Sequence, residues 1–299
     1  MRFVIAGSSG FLGTRLVRQL RAGGHDVVRL VRREPRADDE IRWNPTAGAL
    51  DPQALVNADV AVNLAGAGVG DHRWTRAYRK TLIDSRVDTT TTLARALAST
   101  AGAGPRVLVN ASGISFYGAP GDRAVDEQSP PGDGFLAELT RVWEAATGPA
   151  EAAGVRVAHL RSGLPLSPEG GLLKPLMLPF RLGLGAKLGN GRQYLPWISM
   201  ADWLGAVELV VERADIAGPV NMVGPTPATN AEFTRALGRA LGRPAIFAVP
   251  GPALRLGLGE AAGEALASLR AVPGVLNAAG YRFQHRDVEA ALRAALDDR

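Results

Sequence analysis

"RFVIAGSSGFLGTRLVRQLRAGGHDVVRLVRR", Arg2 to Arg33, reads as a strand, a helix and a second strand. "RFVIAG" is a short apolar run closed by a glycine, "FLGTRLVRQLRAGG" repeats its apolar residues at helical spacing, and "HDVVRLVRR" is rich in β-branched residues. The turn between the first strand and the helix is Gly7-Ser8-Ser9-Gly10-Phe11-Leu12-Gly13, with glycines spaced G-x-x-G-x-x-G. Gly7 suits a tight turn, Gly10 a close approach of the backbone to a pyrophosphate, and Gly13 close helix packing; the helix N-terminus then faces the phosphates. The whole turn is a candidate dinucleotide-binding segment. A carboxylate at the end of the second strand would accept hydrogen bonds from an adenosine ribose. Arg32 and Arg33 stand there instead and suit a 2′-phosphate, so NADP(H) is favoured over NAD(H).

The alternation continues. "ADVAVNLAG" (Ala58 to Gly66), "RVLVNAS" (Arg106 to Ser112) and "VRVAHLRSG" (Val155 to Gly163) read as strands, separated by helices expected from Trp74 to Ala101 and from Phe135 to Ala153. Strands alternating with helices imply an α/β fold with a doubly wound parallel sheet of Rossmann type, covered on both faces. Leu64, Ala65 and Gly66 end the third strand where small residues would let the cofactor lie against the backbone. After residue 163 the texture changes to glycine, proline and leucine in "GLLKPLMLPFRLGLGAKLGNGRQYLPW", which reads as loops walling a cleft. "TNAEFTRALGRALG" then opens with Thr229 and Glu232 in capping-box spacing. The expected division is a dinucleotide-binding domain at 1–163 plus about 195–225, and a smaller C-terminal substrate-side domain at 164–194 plus about 226–299.

Composition narrows the function classes. No apolar run reaches the roughly 20 residues that span a bilayer, so neither a membrane segment nor a signal peptide is expected. Cysteine is absent, which removes disulfides and thiolate chemistry and suits a cytoplasmic protein. The four histidines are scattered, and no metal site is expected. The net charge of +5 is carried by dispersed arginines without interleaved aromatics, which argues against a nucleic-acid partner. A small-molecule substrate is the expected partner.

"DVAVNLAG", "ASGISFYG", the "LRSG" strand end and the glycine turn together resemble the extended short-chain dehydrogenases/reductases, which include nucleotide-sugar epimerases and dehydratases. "RWNPTAGALD", "HRWT", "DSRV", "PFRLGLGAKLGNGRQYLPWI" and "GPVNMVGPTPATNAEF" extend the likeness to epimerase-like proteins with a small C-terminal domain. The resemblance implies a nicotinamide cofactor and a cleft capped by the C-terminal portion. It also implies a homodimer through helices packed as a four-helix bundle; the helix ending in "TRVWEAA" is the candidate, although its apolar residues equally suit an internal core.

Catalytic members of that superfamily place a tyrosine and, four residues on, a lysine on one helix face. The aligned positions here are Phe135 and Leu139, and none of Tyr78, Tyr117, Tyr194 or Tyr281 has a lysine four residues later. Helix 135–153 is expected to pack through Phe135, Leu139 and Val142. Proton transfer must then come from elsewhere. Ser112 resembles the superfamily serine that hydrogen-bonds the reacting oxygen, and Tyr117 resembles a cleft-lining tyrosine; these two are the candidate catalytic residues. Asp126 and Glu127 are further loop carboxylates, and His159 reads as a core histidine; Arg161, close to where nicotinamide would lie, is a candidate cofactor-binding residue that could hold a carboxylate or phosphate, a structural salt bridge being equally open. Gln193, Tyr194 and Trp197 are expected to wall the substrate site, Asp202 to brace the lid, and His72 to Trp74 to form a loop near the cofactor. The expected function is an NADP(H)-binding, epimerase-like oxidoreductase acting on a small polar substrate of carbonyl or sugar type. The alternative is a non-catalytic NADP(H)-binding regulator or scaffold.

Overall fold

The computed structural model describes residues 1–100 and 102–297; Ala101, Asp298 and Arg299 lie outside the described residues, and with them the expected ends of the second helix and of the C-terminal domain. The quoted stretch forms β1 (Arg2–Ala6), α1 (Phe11–Ala22) and β2 (Asp26–Val31). Five more strands join them in one sheet: β3 (Glu40–Arg42), β4 (Val60–Asn63), β5 (Val107–Gly113), β7 (Arg156–Ser162) and β12 (Gly218–Met222). Every pairing is parallel and the order is β12-β7-β5-β4-β1-β2-β3. The chain thus runs outward from β1 in one direction and returns to build the other half from β4. Such a reversal opens a crevice at the carboxyl ends of the strands.

Both sheet faces are buried, and the period-2 alternation sends successive side chains to different layers. Phe3, Ile5, Val60, Val62 and Val109 pack with α1 and with α6 (Met200–Glu212), whose Trp203 and Val207 are fully enclosed. Val4, Ala6, Ala61 and Leu108 pack on the opposite side against Leu93 and Leu97 of α2 (Arg76–Ala98). A helix follows β5, but in two pieces, α3 (Phe135–Ala145) and α4 (Gly148–Ala152). Pro149, without an N–H, starts the second piece and prevents one continuous helix. The buried face of α3 is Leu136, Leu139, Thr140 and Trp143, so Phe135 and Val142, expected inward, lie half-buried at its edges.

The glycine- and proline-rich stretch is more regular than its composition suggested. It holds α5 (Leu173–Arg181), with Leu173, Met177 and Phe180 inward at helical spacing despite Pro179. Four two-stranded ladders complete the structure: β6 (Gly121–Val125) with β15 (Leu269–Ala271), β8 (Leu164–Leu166) with β11 (Trp197–Ser199), β9 (Ala186–Leu188) with β14 (Phe247–Val249), and β10 (Tyr194–Leu195) with β13 (Ala228–Thr229). Thr229 and Glu232 form the expected capping box at the start of α7 (Asn230–Ala240). A separate core joins Leu173, Phe180, Phe233 and Leu237 to Val288 and Leu292 of the last helix, and Trp197 belongs to it. Among the described residues no helix is long and apolar enough to cross a membrane.

Candidate functional site

At the carboxyl ends of β1, β2 and β4 lies a cleft of about 720 Å³, lined among others by Gly7 to Gly10, Arg32, Arg33, Leu64 to Ala67, Ser85 and Thr89. Gly7 has φ +79°, and a Cβ there would stand 2.5 Å from the Leu64 carbonyl carbon. A Cβ at Gly13 would meet the Gly7 oxygen at 2.2 Å, so only glycine lets α1 pack this closely on the turn after β1. Gly10 caps α1 without a side-chain hydrogen bond, and no carboxylate occupies its first turn. That helix end presents backbone N–H groups and the positive end of the dipole without a competing anion. Phe11, Leu12 and Gly13 form the first turn behind the cleft wall, with Phe11 packed over Gly170 and Gly171.

The two arginines at the end of β2 have different surroundings. Arg33 makes a bidentate pair with Glu40, 2.7 Å from Nη1 to Oε2 and 2.6 Å from Nη2 to Oε1. These bonds, with the Arg36 N–H donating to Oε2, hold the buried Glu40 carboxyl at about 2. Arg32 is exposed on the cleft wall and has no hydrogen-bond or ion-pair partner among the described residues. Glu40, a carboxylate suited to ribose hydroxyls, is thus already occupied. Sequence reading missed it because it enters from the three-residue strand β3, too short to register as a periodic run.

Further along the sheet edge, the side chains of β5 and β7 close into one network. Ser112 Oγ donates to Glu144 Oε1 at 2.6 Å, and Arg161 grips the same carboxylate from Nε and Nη2, each at 2.9 Å. Arg161 Nη1 donates to the Tyr117 hydroxyl at 2.9 Å, and that hydroxyl donates to Asn221 Oδ1 at 2.8 Å. The Arg161 Cζ stands 3.4 Å from the centroid of the Phe116 ring. Burial acts to raise the Glu144 pKa, but the hydrogen bonds and charge of Arg161 prevail and hold it below the ordinary glutamate value. Burial pushes the Tyr117 phenol up. Ser112 and Tyr117 are therefore brought together, but through Arg161 and Glu144, and Tyr117 is 3% exposed with its proton committed to Asn221. Neither residue lines the cleft at the glycine turn.

A model of the NAD dependent epimerase/dehydratase family matches residues 3–223. The chain belongs to that family. A domain of unknown function, DUF1731, matches residues 249–295. An epimerase family protein of Mycobacterium bovis, Mb2239, is 46% identical over 289 residues, covering 96% of this chain and 95% of that one. The crystal structure of the human epimerase family protein SDR39U1 (isoform 2) with NADPH superposes with a TM-score of 0.92 at 34% identity, over the full length of both chains. MoeE5 in complex with UDP-glucuronic acid and NAD has a TM-score of 0.77 at 19% identity over 99% of this chain and 98% of that one, a likeness of fold.

As an epimerase/dehydratase-family chain, this one departs from the catalytic pattern at α3. Leu139 and Trp143 are buried with Leu82 of α2, and Phe135, Trp74, Tyr78, Ala67 and Val69 pack around them. Trp74 donates to the Val69 oxygen at 2.9 Å and meets Phe135 edge-on at 5.4 Å, so the "HRW" loop folds across the end of α3. Leu136, Leu139 and Trp143 of α3 are internal core, and Phe135 and Val142 are half-buried. Other candidates are placed away from the cleft at the glycine turn. Glu127 accepts from the N–H groups of Asn221 and Val275, and Asp126 caps its own turn with Ser129. Trp197, expected in a substrate wall, is 2% exposed and donates to the Thr226 oxygen. Gln193 is buried and donates to the Leu188 oxygen, while Tyr194 remains half-buried under Arg270. Asp202 accepts from Ser199, from the N–H groups of Gln284 and His285, and from Tyr281, bracing the C-terminal segment. His159 is buried, and desolvation lowers its pKa.

Glu144 and Asn221 were legible in hindsight. Glu144 lies four residues after the buried Thr140 on the same helix face, and Asn221 interrupts the apolar strand β12. A polar residue on a buried face requires a partner.

Proposed function

We propose that the protein binds NADP(H) in the cleft and acts as an epimerase-like oxidoreductase on a small polar substrate of carbonyl or sugar type. The observation that carries this reading is Arg32. Among the described residues it is a cation without a partner at the ribose end of a glycine-built phosphate cradle, while Glu40, the carboxylate beside the end of β2, is already taken by Arg33. The crystal structure of SDR39U1 with NADPH supports it. The residues fit such a group: Gly7 to Gly13 hold the pyrophosphate against the end of α1, Arg32 pairs with the 2′-phosphate, and Leu64, Ala65 and Gly66 form the floor. A bound nicotinamide supplies hydride exchange. Ser112, its own proton spent on Glu144, retains oxygen lone pairs with which to orient a substrate hydroxyl, and Arg161 fixes Glu144 for that purpose. The substrate proton then moves through water or through Tyr117, whose hydroxyl must first release Asn221.

The apolar packing at Phe135 and Leu139 supports a second reading, an NADP(H)-binding regulator without turnover. Titration with NADPH, NADP+, NADH and NAD+, followed by nicotinamide fluorescence and heat of binding, tests the first step. Preference for the phosphorylated pair, lost in Arg32→Ala, is expected; no binding of any of the four refutes both readings. A screen of carbonyl and sugar-nucleotide substrates for NADPH oxidation then separates enzyme from regulator.

A further inference from the structure

Arg86 is a charged side chain with no place in the reading above. It lies on the inner face of α2, in a buried stripe with Leu82, Leu93 and Leu97, and is 7% exposed. Its Nη1 donates to the Leu82 oxygen of its own helix at 3.1 Å, and its Cζ stands 4.9 Å from the centroid of the Trp143 ring. The buried Nε has no hydrogen-bond partner, Nη2 makes no hydrogen bond, and no carboxylate pairs with the guanidinium among the described residues. Desolvation lowers its pKa to about 10, which leaves it charged at neutral pH. A cation buried without an anion disfavours the fold that contains it, and a methionine of similar volume would pack there without that cost.

Its position gives the charge a use. A Cβ on Gly66 would meet Arg86 Cγ and Cζ at 3.3 Å, and Gly66, Ala67, Ser85 and Thr89 all line the cleft. Trp143, on the other side, belongs to the helix that follows β5. The guanidinium therefore sits behind the cleft wall between the ends of β4 and β5, across β1 from Arg32 at the end of β2. A dinucleotide with its adenosine at β2 and its pyrophosphate at α1 carries its nicotinamide half toward β4 and β5. The free Nε and Nη2 form one edge of the guanidinium, the same edge with which Arg161 takes the Glu144 carboxylate. That edge matches two oxygens of a carboxylate or phosphate. Gly66 stands over Cγ, Cζ and Nη1 of Arg86, so the edge formed by Nε and Nη2 is not the one nearest Gly66.

We propose that Arg86 is a ligand-binding residue whose guanidinium holds an anionic oxygen at the nicotinamide end of the cleft, supplying from α2 the cation that α3 does not. The oxygen comes either from the cofactor phosphate beside the nicotinamide ribose or from a carboxylate or phosphate of the substrate. The proposal rests on the dinucleotide reading, and the test keeps the two apart.

Wild type, Arg86→Met and Arg86→Lys are titrated with NADPH, reduced nicotinamide mononucleotide and 2′,5′-ADP, and then, with NADPH bound, with inorganic phosphate and oxalate. Arg86→Met is expected to weaken NADPH and the mononucleotide by about tenfold or more while 2′,5′-ADP binds as before; Arg86→Lys, which keeps charge but not the fork, weakens them less. The melting temperature of the unliganded Met variant should equal or exceed that of wild type. If dinucleotide affinity is unchanged but phosphate or oxalate binding is lost in Arg86→Met, the anion belongs to the substrate. Unchanged affinity for every probe, or a fall in melting temperature with no change in binding, overturns the proposal in favour of a structural role. If wild type binds neither 2′,5′-ADP nor any dinucleotide, the cofactor reading fails alone. Loss of phosphate or oxalate binding to the unliganded protein in Arg86→Met then still upholds the anion site, and no loss overturns it.

Discussion

Two buried arginines meet adjacent residues of α3, Arg86 at Trp143 and Arg161 at Glu144, and their surroundings are opposite. Arg161 spends its hydrogen bonds on Glu144 and Tyr117 and stacks on Phe116; Arg86 has one bond to its own helix and an aromatic face. A buried ion pair with satisfied partners is a structural unit, and removing one member strands the other. A buried cation without an anion is a feature of the unliganded protein that a ligand can complete. Burial of charge is thus common to both, and what distinguishes Arg86 is its unsatisfied edge.

The largest test of this contrast is stability. Arg161→Met should lower unfolding free energy by about 3–5 kcal/mol, because Glu144 is left buried and unpaired, whereas Arg86→Met should be neutral or stabilising. Urea denaturation of the two variants measures both, and equal losses would erase the distinction. A smaller effect follows from pH. The folded-state pKa of Glu144 is depressed, so its contribution is complete above the ordinary glutamate range and is lost as pH falls through its folded value. Acid titration of the melting temperature should therefore flatten in Glu144→Gln and stay steep in Arg86→Met.

Next comes the cofactor end. Arg32→Ala should weaken NADPH by about tenfold with NADH unchanged, and Arg33→Ala by less, since that guanidinium already serves Glu40. Parallel calorimetric titrations decide it; equal effects would mean that the Glu40 pair opens to the ligand. The smallest effect is expected at Gly66→Ala, whose methyl would press on Arg86 at 3.3 Å. A loss of about threefold in NADPH affinity, with stability changed by less than about 1 kcal/mol, is expected if Arg86 lies in the ligand path.

Much of the fold was legible because parallel strands buried on both faces carry dense apolar runs. β1, β2, β4, β5 and β7 all stand out this way, and the turn at Gly7 to Gly13 is marked by glycines that the close packing of α1 on that turn, and of the turn on Leu64, requires. β3, three residues long, and α5, punctuated by Pro175 and Pro179, have no comparable periodic signal. At the site, residue types could be read but not their partners. Ser112, Tyr117 and Arg161 were visible as candidates, yet what each can do depends on Glu144 and Asn221, which lie 32 and 104 residues from Ser112 and Tyr117.

The sequence alone determined the Rossmann order of elements, the glycine cradle, the arginines after β2 and the lack of a tyrosine–lysine pair, because each is a matter of local spacing. Only the tertiary structure decided which arginines were already spent. Hydrogen bonds at about 3 Å select partners by position in space, and Arg33 with Glu40, Arg161 with Glu144 and the unpaired edge of Arg86 are products of the way the sheet brings its strand ends together.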